Sequence, residues 1–277
     1  MTKVDLHIHS KYSDDGEFSP EEIVCMAIEA GVNKIAIADH NSVKGVKEAV
    51  EYSKNRDIDV ISGIEIDCTY EGVNLHILGY DIDYNEVCFL KLEEDIINQE
   101  INASEEKIKK IEEYLKVKIN RESIKELAPN GIVTGELIGE ILLSDESIYN
   151  NEYLKPYRSG GERSDMPFVN FYWDYFSQGK PAYVEIKYPS LKDTIAMIKN
   201  SNGYAVIAHP GNNLKNKLDL LDRIIDEGID GIEVYSSYHN KEQKEYFSKK
   251  ALENNLIITY GSDFHGKNKP NIRIGEI

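Results

Sequence analysis

The chain opens on a short apolar strand, Val4-Asp5-Leu6-His7-Ile8-His9-Ser10, that ends in a His-x-His pair. Side chains alternate faces along a strand, so His7 and His9 point the same way. Two imidazoles side by side at the open end of a strand make half of a metal site. The arrangement returns along the chain. Lys34 to Asp39 reads as a strand followed at once by His40, and Asp59 to Glu65 as one ending in Gly63-Ile64-Glu65. Asn74 to Tyr80 carries His76 within it, and Gly203 to His209 ends in Ala208-His209-Pro210. Leu256 to Gly261 leads into Ser262-Asp263-Phe264-His265, and further strands are expected at Pro181 to Ile186 and Gly231 to Tyr235. The near-continuous apolar run of Lys34 to Asp39 belongs to a parallel strand buried on both faces.

Helical patterns separate the strands. Ser19-Pro20-Glu21-Glu22 is a helix start, with Ser19 as N-cap, proline at the first helical position and Glu22 completing a capping box; Gly31 is its stop. Other helices are expected at about Val43 to Asn55, Ser190 to Ser201, Leu218 to Glu227 and Lys241 to Asn254. Strands alternating with helices mean a parallel α/β barrel or a doubly wound sheet. No Gly-x-Gly-x-x-Gly follows the first strand, which favours the barrel.

Between about Glu86 and Gln178 the strand signals almost vanish. Leu90 to Val117 is charged and helical, with Ile96, Ile97, Ile101, Ile108, Ile111 and Leu115 at helix-like spacings. Shorter helices follow at Asn120 to Leu127, Thr134 to Leu143 and Phe168 to Gln178, the last an aromatic segment whose Tyr172, Trp173 and Tyr175 read as core. The expected organisation is a barrel from residues 1–85 and 180–277, with residues 86–179 as a helical insertion on its rim.

Five of the seven histidines (7, 9, 40, 209, 265) fall at or just past the C-terminal end of an expected strand, and His76 within one. In a parallel barrel that end is where active sites are built. Asp14, Asp39, Glu65 and Asp263 sit in the same places, and Asp14 or Asp15 could turn back toward the first two histidines. Imidazole and carboxylate without thiolate suit zinc, manganese or iron and disfavour copper(I). The three cysteines, Cys25, Cys68 and Cys88, have no close spacing, which fits neither a zinc knuckle nor a disulfide framework and suits a reducing cytosol. With no apolar signal core and no membrane-length apolar run, a soluble cytoplasmic protein is expected. A formal net charge of -17 repels a polyphosphate backbone, so a long nucleic acid is not an expected partner, whereas a small phosphorylated substrate drawn in by bound cations is.

Asp5-Leu6-His7-Ile8-His9-Ser10, Asp39-His40, Gly63-Ile64-Glu65, His76, Ala208-His209-Pro210 and Ser262-Asp263-Phe264-His265 resemble, in order, the motifs of the PHP (polymerase and histidinol phosphatase) family. The resemblance spans the chain outside the helical insertion. It implies an α/β fold, a distorted (β/α)7 TIM-like barrel, holding three divalent metal ions (Mn, Zn or Fe). Carried over by position, His7, His9, Glu65 and Asp263 would hold the first ion. Glu65, as a bridge, with His76 and His209 would hold the second, and Asp14, His40 and His265 the third. Within the family the chain looks most like the small-molecule phosphoesterases, which include nucleoside 3′,5′-bisphosphate phosphatases. It departs from them at Thr134-Gly135-Glu136, where they carry Arg-x-His.

The implied reaction is hydrolysis of a small phosphate monoester, such as a nucleoside bisphosphate, by a metal-bridging hydroxide without a covalent enzyme intermediate. Asp263 and His239 are the candidate catalytic groups. His239, past the Gly231 to Tyr235 strand, is placed to contact the phosphate or protonate the leaving group. Arg158 and Arg163, in a Gly-rich loop, are candidates to grip a second phosphate. The alternative reaction is phosphodiester hydrolysis, on a cyclic phosphate or a short oligonucleotide. A non-enzymatic metal-binding module is a third reading, which the complete ligand set opposes. A C–N hydrolase is a fourth, and no lysine occupies a ligand position to support it.

Overall fold

A computed structural model describes residues 3–215 and 217–277, which pack as two compact units. The first comprises the chain up to Glu93 with Tyr188–His265 and Ile272–Ile277; the second is Glu94–Lys187 with Gly266–Asn271.

Among the described residues, the first unit is built on seven strands: β1 (Val4–Ile8), β2 (Lys34–Ile37), β3 (Asp59–Tyr70), β4 (Val73–Tyr80), β5 (Tyr204–Ile207), β6 (Gly231–Ser236) and β7 (Ile257–Gly261). They hydrogen-bond in sequence order. At the rim the Asp263 N–H donates to His7 O (2.8 Å) and the His9 N–H to Phe264 O (2.9 Å), which brings the end of β7 back to β1. The result is a seven-stranded, nearly closed barrel, as the family resemblance implies.

The barrel is not wholly parallel. β3 continues past Glu65 to Tyr70 and pairs antiparallel with β4, which pairs antiparallel with β5. The cause is local. Glu71 and Gly72 both have positive φ (47° and 74°), as a two-residue type I′ turn requires, and so short a turn permits only antiparallel pairing. The strand expected at Pro181 to Ile186 does not form. β4 and β5 bond directly to each other, so no edge between them is left for it.

The helices cover the outside. α1 (Pro20–Glu29) starts with the expected capping box, and Gly31 follows it at φ +69°. α2 (Lys44–Ser53) lies next in sequence. On β2, Ile35 and Ile37 pack with Ile23, Val24 and Ala27 of α1, while Ala36 turns inward to Leu6, Leu78, Tyr80 and Val206. Alternation thus divides one strand between two cores. β1 departs from strict alternation. A bulge between Asp5 and Ile8 lets Leu6 pack inside and Ile8 outside.

The second unit is helical. It holds most of α3 (Val87–Leu115), then α4 (Arg121–Leu127), α5 (Gly135–Ser144) and α6 (Pro167–Tyr175). Gly135 and Gly139, one turn apart on α5, sit against Phe176 and Phe171; an added Cβ would come within 2.7 Å and 3.0 Å of those rings. Tyr175 is buried in this core and Tyr172 packs against it. The first unit resumes with α7 (Leu191–Asn200), the short α8 (Pro210–Asn213), α9 (Leu220–Asp226) and α10 (Lys241–Glu253). Among the described residues no helix is long and apolar enough to cross a membrane.

Asp5 secures the seam. Its fully buried carboxylate accepts the Ser262 N–H through Oδ1 (2.9 Å) and the Gly275 N–H through Oδ2 (2.7 Å). Asp5→Ala should therefore destabilise the fold by about 1–3 kcal/mol for the buried Ser262 N–H alone. Urea denaturation at equilibrium checks this, and an unchanged midpoint would show that the seam holds without it.

Candidate metal centre

Glu65 stands on β3, inside the barrel, with no solvent exposure. Its two oxygens face different imidazoles. Oε2 lies 3.0 Å from His7 Nε2 and 3.1 Å from His9 Nε2. Oε1 lies 3.0 Å from His76 Nδ1 and 3.2 Å from His209 Nε2. Asp263 adds Oδ1 at 3.4 Å from His7 Nε2 and 3.1 Å from His9 Nε2. Among the described residues three groups emerge whose ligand atoms lie within 4.8 Å of one another: His7, Glu65, His209 and Asp263; His9, Asp15, His40 and His265; and His40, Asp67 and His76.

The surroundings orient these side chains. His7 Nδ1 meets Glu233 Oε1 at 2.9 Å, and Glu233 Oε2 accepts the His209 N–H at 2.7 Å. His265 Nδ1 meets the Asp263 carbonyl at 2.9 Å, which leaves its Nε2 toward Asp15 (3.0 Å). Such partners fix tautomer and ring orientation at metal-ligating histidines. Gly261 makes room for Glu233, since a Cβ there would lie 2.1 Å from Glu233 Oε1. The Tyr238 hydroxyl donates to Asp263 Oδ2 at 2.6 Å. Asp39 accepts the Ser10 N–H and hydroxyl, and burial pushes its pKa up to about 7. Asp263 and His209 have positive φ (61° and 23°), a conformation that non-glycine residues adopt mainly where the surroundings impose it.

Burial would raise the Glu65 pKa, but the charges of His7, His40 and His76 outweigh it and hold the carboxyl well below its usual range. His9 is the opposite case. Burial, reinforced by the neighbouring His265, pushes it down to about 4, so it is neutral at physiological pH. Its ring stacks on His265 at 3.8 Å. His9 Nε2, His40 Nδ1, His209 Nδ1, His265 Nε2 and Asp67 Oδ1 are buried and make no well-directed hydrogen bond, although all but His209 Nδ1 lie in ion-pair contact with a neighbour in the cluster. Buried nitrogens without such a bond are costly in a folded protein. Lone pairs of imidazole and carboxylate converging on shared points suit divalent ions. The residues present therefore fit the metals that the motifs imply.

Several expectations are revised. Asp15, not Asp14, joins the histidines; Asp14 is exposed, and the loop turns the second aspartate inward. His239 is not at the mouth of the site. It is buried against Phe247, its Nδ1 is bonded to Val234 O (2.8 Å), and its Nε2 accepts the Gly211 N–H (3.0 Å). With both nitrogens engaged by backbone it has none to offer a phosphate. In the helical unit, both oxygens of Asp174 hold the Arg163 guanidinium (3.0 and 3.1 Å), and Arg158 donates to Leu143 O and lies over the Tyr149 ring. Arg163 is thus engaged in structure, whereas Arg158 Nε and Nη2 are buried without a hydrogen-bond partner. Asp67 and Glu233 are not among the site residues expected from sequence. Each is an acid inside an apolar strand, Ile-Glu-Ile-Asp and Gly-Ile-Glu-Val, and that mismatch is the available signal.

The PHP domain profile matches residues 5–161. The chain belongs to the PHP family. It is 30% identical over 267 residues to a 5′-3′ exoribonuclease of Haemophilus influenzae, covering 95% of this chain and 90% of that protein. It is also 30% identical over 271 residues to a 3′,5′-nucleoside bisphosphate phosphatase of Chromobacterium violaceum, covering 96% and 88%. Among solved structures, an amidohydrolase from Chromobacterium violaceum with bound sulfate and no metal matches with a TM-score of 0.80 at 25% identity, over 99% of this chain and 90% of that one. This PHP chain is a metal-dependent phosphoesterase.

His239 generates a stability prediction. Burial lowers its pKa below the usual 6.5, so the unfolded chain takes up the proton first as pH falls. The stability contributed by neutral His239 is full above pH 6.5 and is lost as pH drops toward the folded value. His239→Asn, which removes the acceptor of the Gly211 N–H, should cost about 1–3 kcal/mol at pH 8, and the gap to wild type should narrow at pH 5.5. Denaturation at the two pH values checks it; a gap that widens on acidification would count against this role.

Proposed function

We propose that this PHP phosphoesterase hydrolyses a small phosphate monoester of the nucleoside bisphosphate type, with three divalent ions (Mn, Zn or Fe) held by the Glu65-centred cluster. The observation that carries the reading is that each Glu65 oxygen faces its own set of imidazoles, His7 and His9 on one side, His76 and His209 on the other. Glu65 would bridge two ions, with Asp263 completing the first side. Asp15, His40 and His265 would hold the third. Bound there, the ions would supply Lewis acidity, activating water at neutral pH and neutralising charge on the phosphoryl oxygens.

The chain's own residues supply the geometry. Glu233 and the Asp263 carbonyl hold His7 and His265 with Nε2 turned inward. The Tyr238 hydroxyl occupies Asp263 Oδ2 and leaves Oδ1 toward His7 and His9. Attack on phosphorus by activated water in one displacement, with no covalent enzyme intermediate, is the proposed course. The formal charge of -17 favours a small substrate over a long polymer. The second reading is phosphodiester hydrolysis on a short oligonucleotide, and similarity to an exoribonuclease over 95% of this chain favours it.

Phosphate release with Mn2+ should be measured on adenosine 3′,5′-bisphosphate, histidinol phosphate, a cyclic phosphodiester and a short RNA. Preference for the bisphosphate is the expected result, with loss of activity in His9→Ala. Turnover of the diesters alone would replace the monoester reading with the second. Asp15→Asn should lower activity by about tenfold or more and reduce Mn2+ content, while Asp14→Asn should leave both near wild type. The reverse pattern would reassign the ligand.

A further inference from the structure

We propose that Asp67 is an additional metal ligand of this chain, sharing a divalent cation with His40 and His76. The inference rests on the metal-dependent reading above and extends its ligand set by a residue that the motifs do not include; it regroups around one cation two histidines, His40 and His76, that the motifs divide between the third and second ions. Asp67 and His76 are direct cross-strand partners in the β3–β4 pair. Residues so placed have Cβ atoms about 4.5–5.5 Å apart. Glu65 and Asp67 are two apart on β3, so both carboxylates rise from one face.

Asn41 fixes the Asp67 side chain. Asn41 Nδ2 donates to Asp67 Oδ2 at 2.8 Å, and the Asp67 N–H donates to Asn41 Oδ1 at 3.0 Å. Asn41 follows His40 directly and has φ +54°, so the turn that presents the imidazole also delivers the amide that orients the carboxylate. Asp67 Oδ1 is thereby left facing His40 Nδ1 at 3.3 Å and His76 Nε2 at 3.4 Å.

What decides between an ion pair and a cation site is the hydrogen bonding. Asp67 Oδ1 and His40 Nδ1 are both buried and lie 3.3 Å apart, at ion-pair distance, in a geometry that makes no well-directed N–H···O bond. An N–H aimed at the carboxylate would satisfy both. Two fixed atoms that face each other without that bond have lone pairs available to a shared ion. His76 can serve the same ion through Nε2 while its Nδ1 meets Glu65 Oε1 at 3.0 Å, the carboxylate–histidine arrangement common around bound metals. Carboxylate oxygen with two imidazole nitrogens suits Mn2+, Fe2+ or Zn2+.

The test is metal binding rather than turnover. The full chain and its Asp67→Asn variant, both stripped of metal, would be titrated with Mn2+ by calorimetry, and their metal content measured after dialysis against limiting Mn2+. Asparagine keeps the shape and the contacts to Asn41, so the circular dichroism spectrum should not change. The expected result is one class of Mn2+ sites weakened about 10–100-fold, with less Mn2+ retained. Asn41→Ala should weaken the same class less, because Asp67 keeps its charge and loses only its orientation. Equal stoichiometry and affinity in wild type and Asp67→Asn would overturn the assignment and leave the rest of the centre standing. A wild-type chain that takes up no Mn2+ and no Zn2+ would overturn the metal-dependent reading, and this inference with it.

Discussion

Glu65 is a carboxylate in the middle of a barrel with no contact to water. Burying one ion costs several kcal/mol even after relaxation, unless opposite charge or metal offsets it. The fold responds by surrounding Glu65 with imidazoles from β1, β4 and the segments after β2 and β5. No single strand could supply them. Barrel closure is therefore a condition of the centre, and the centre is a second tie between the strands that close the barrel.

The reversed strand β4 gives that arrangement its shape. A β3 that ended at Glu65 in an all-parallel barrel would stop at the rim. Here the Glu71-Gly72 turn sends the chain straight back, and the β3–β4 register sets His76 opposite Asp67 and two residues from the level of Glu65. A pair of residues with positive φ, neither of them in the candidate ligand groups, thus decides which imidazole reaches the far oxygen of the central carboxylate.

The outer ring is as specific as the ligands. Glu233 links His7 to the backbone at His209, and its approach depends on the missing side chain of Gly261. Asp39 supports the turn after His9 by accepting from Ser10, and Asp5 ties Ser262 to the first strand. These three acids fix where the ligands stand without joining the groups they orient.

The sequence by itself determined the strands that carry histidines, the capped helices between them and the family. Those signals are local: apolar runs, a Ser-Pro-Glu-Glu start, His-x-His and Asp-x-His. Tertiary structure decided what local patterns cannot encode. Asp14 and Asp15 are neighbours with the same chemistry, and only the path of the loop turns Asp15 to His265. His239 has the composition of a site residue, but two backbone groups, at Val234 and Gly211, claim its ring. The apolar run at 181–186 reads as a strand, yet strand formation needs a free edge, and β4 had already paired with β5. Asp67 gains its significance from Asn41, 26 positions earlier, and from a cross-strand histidine. Each of these outcomes depends on contacts between segments far apart in the chain, and such contacts exist only once the barrel has formed.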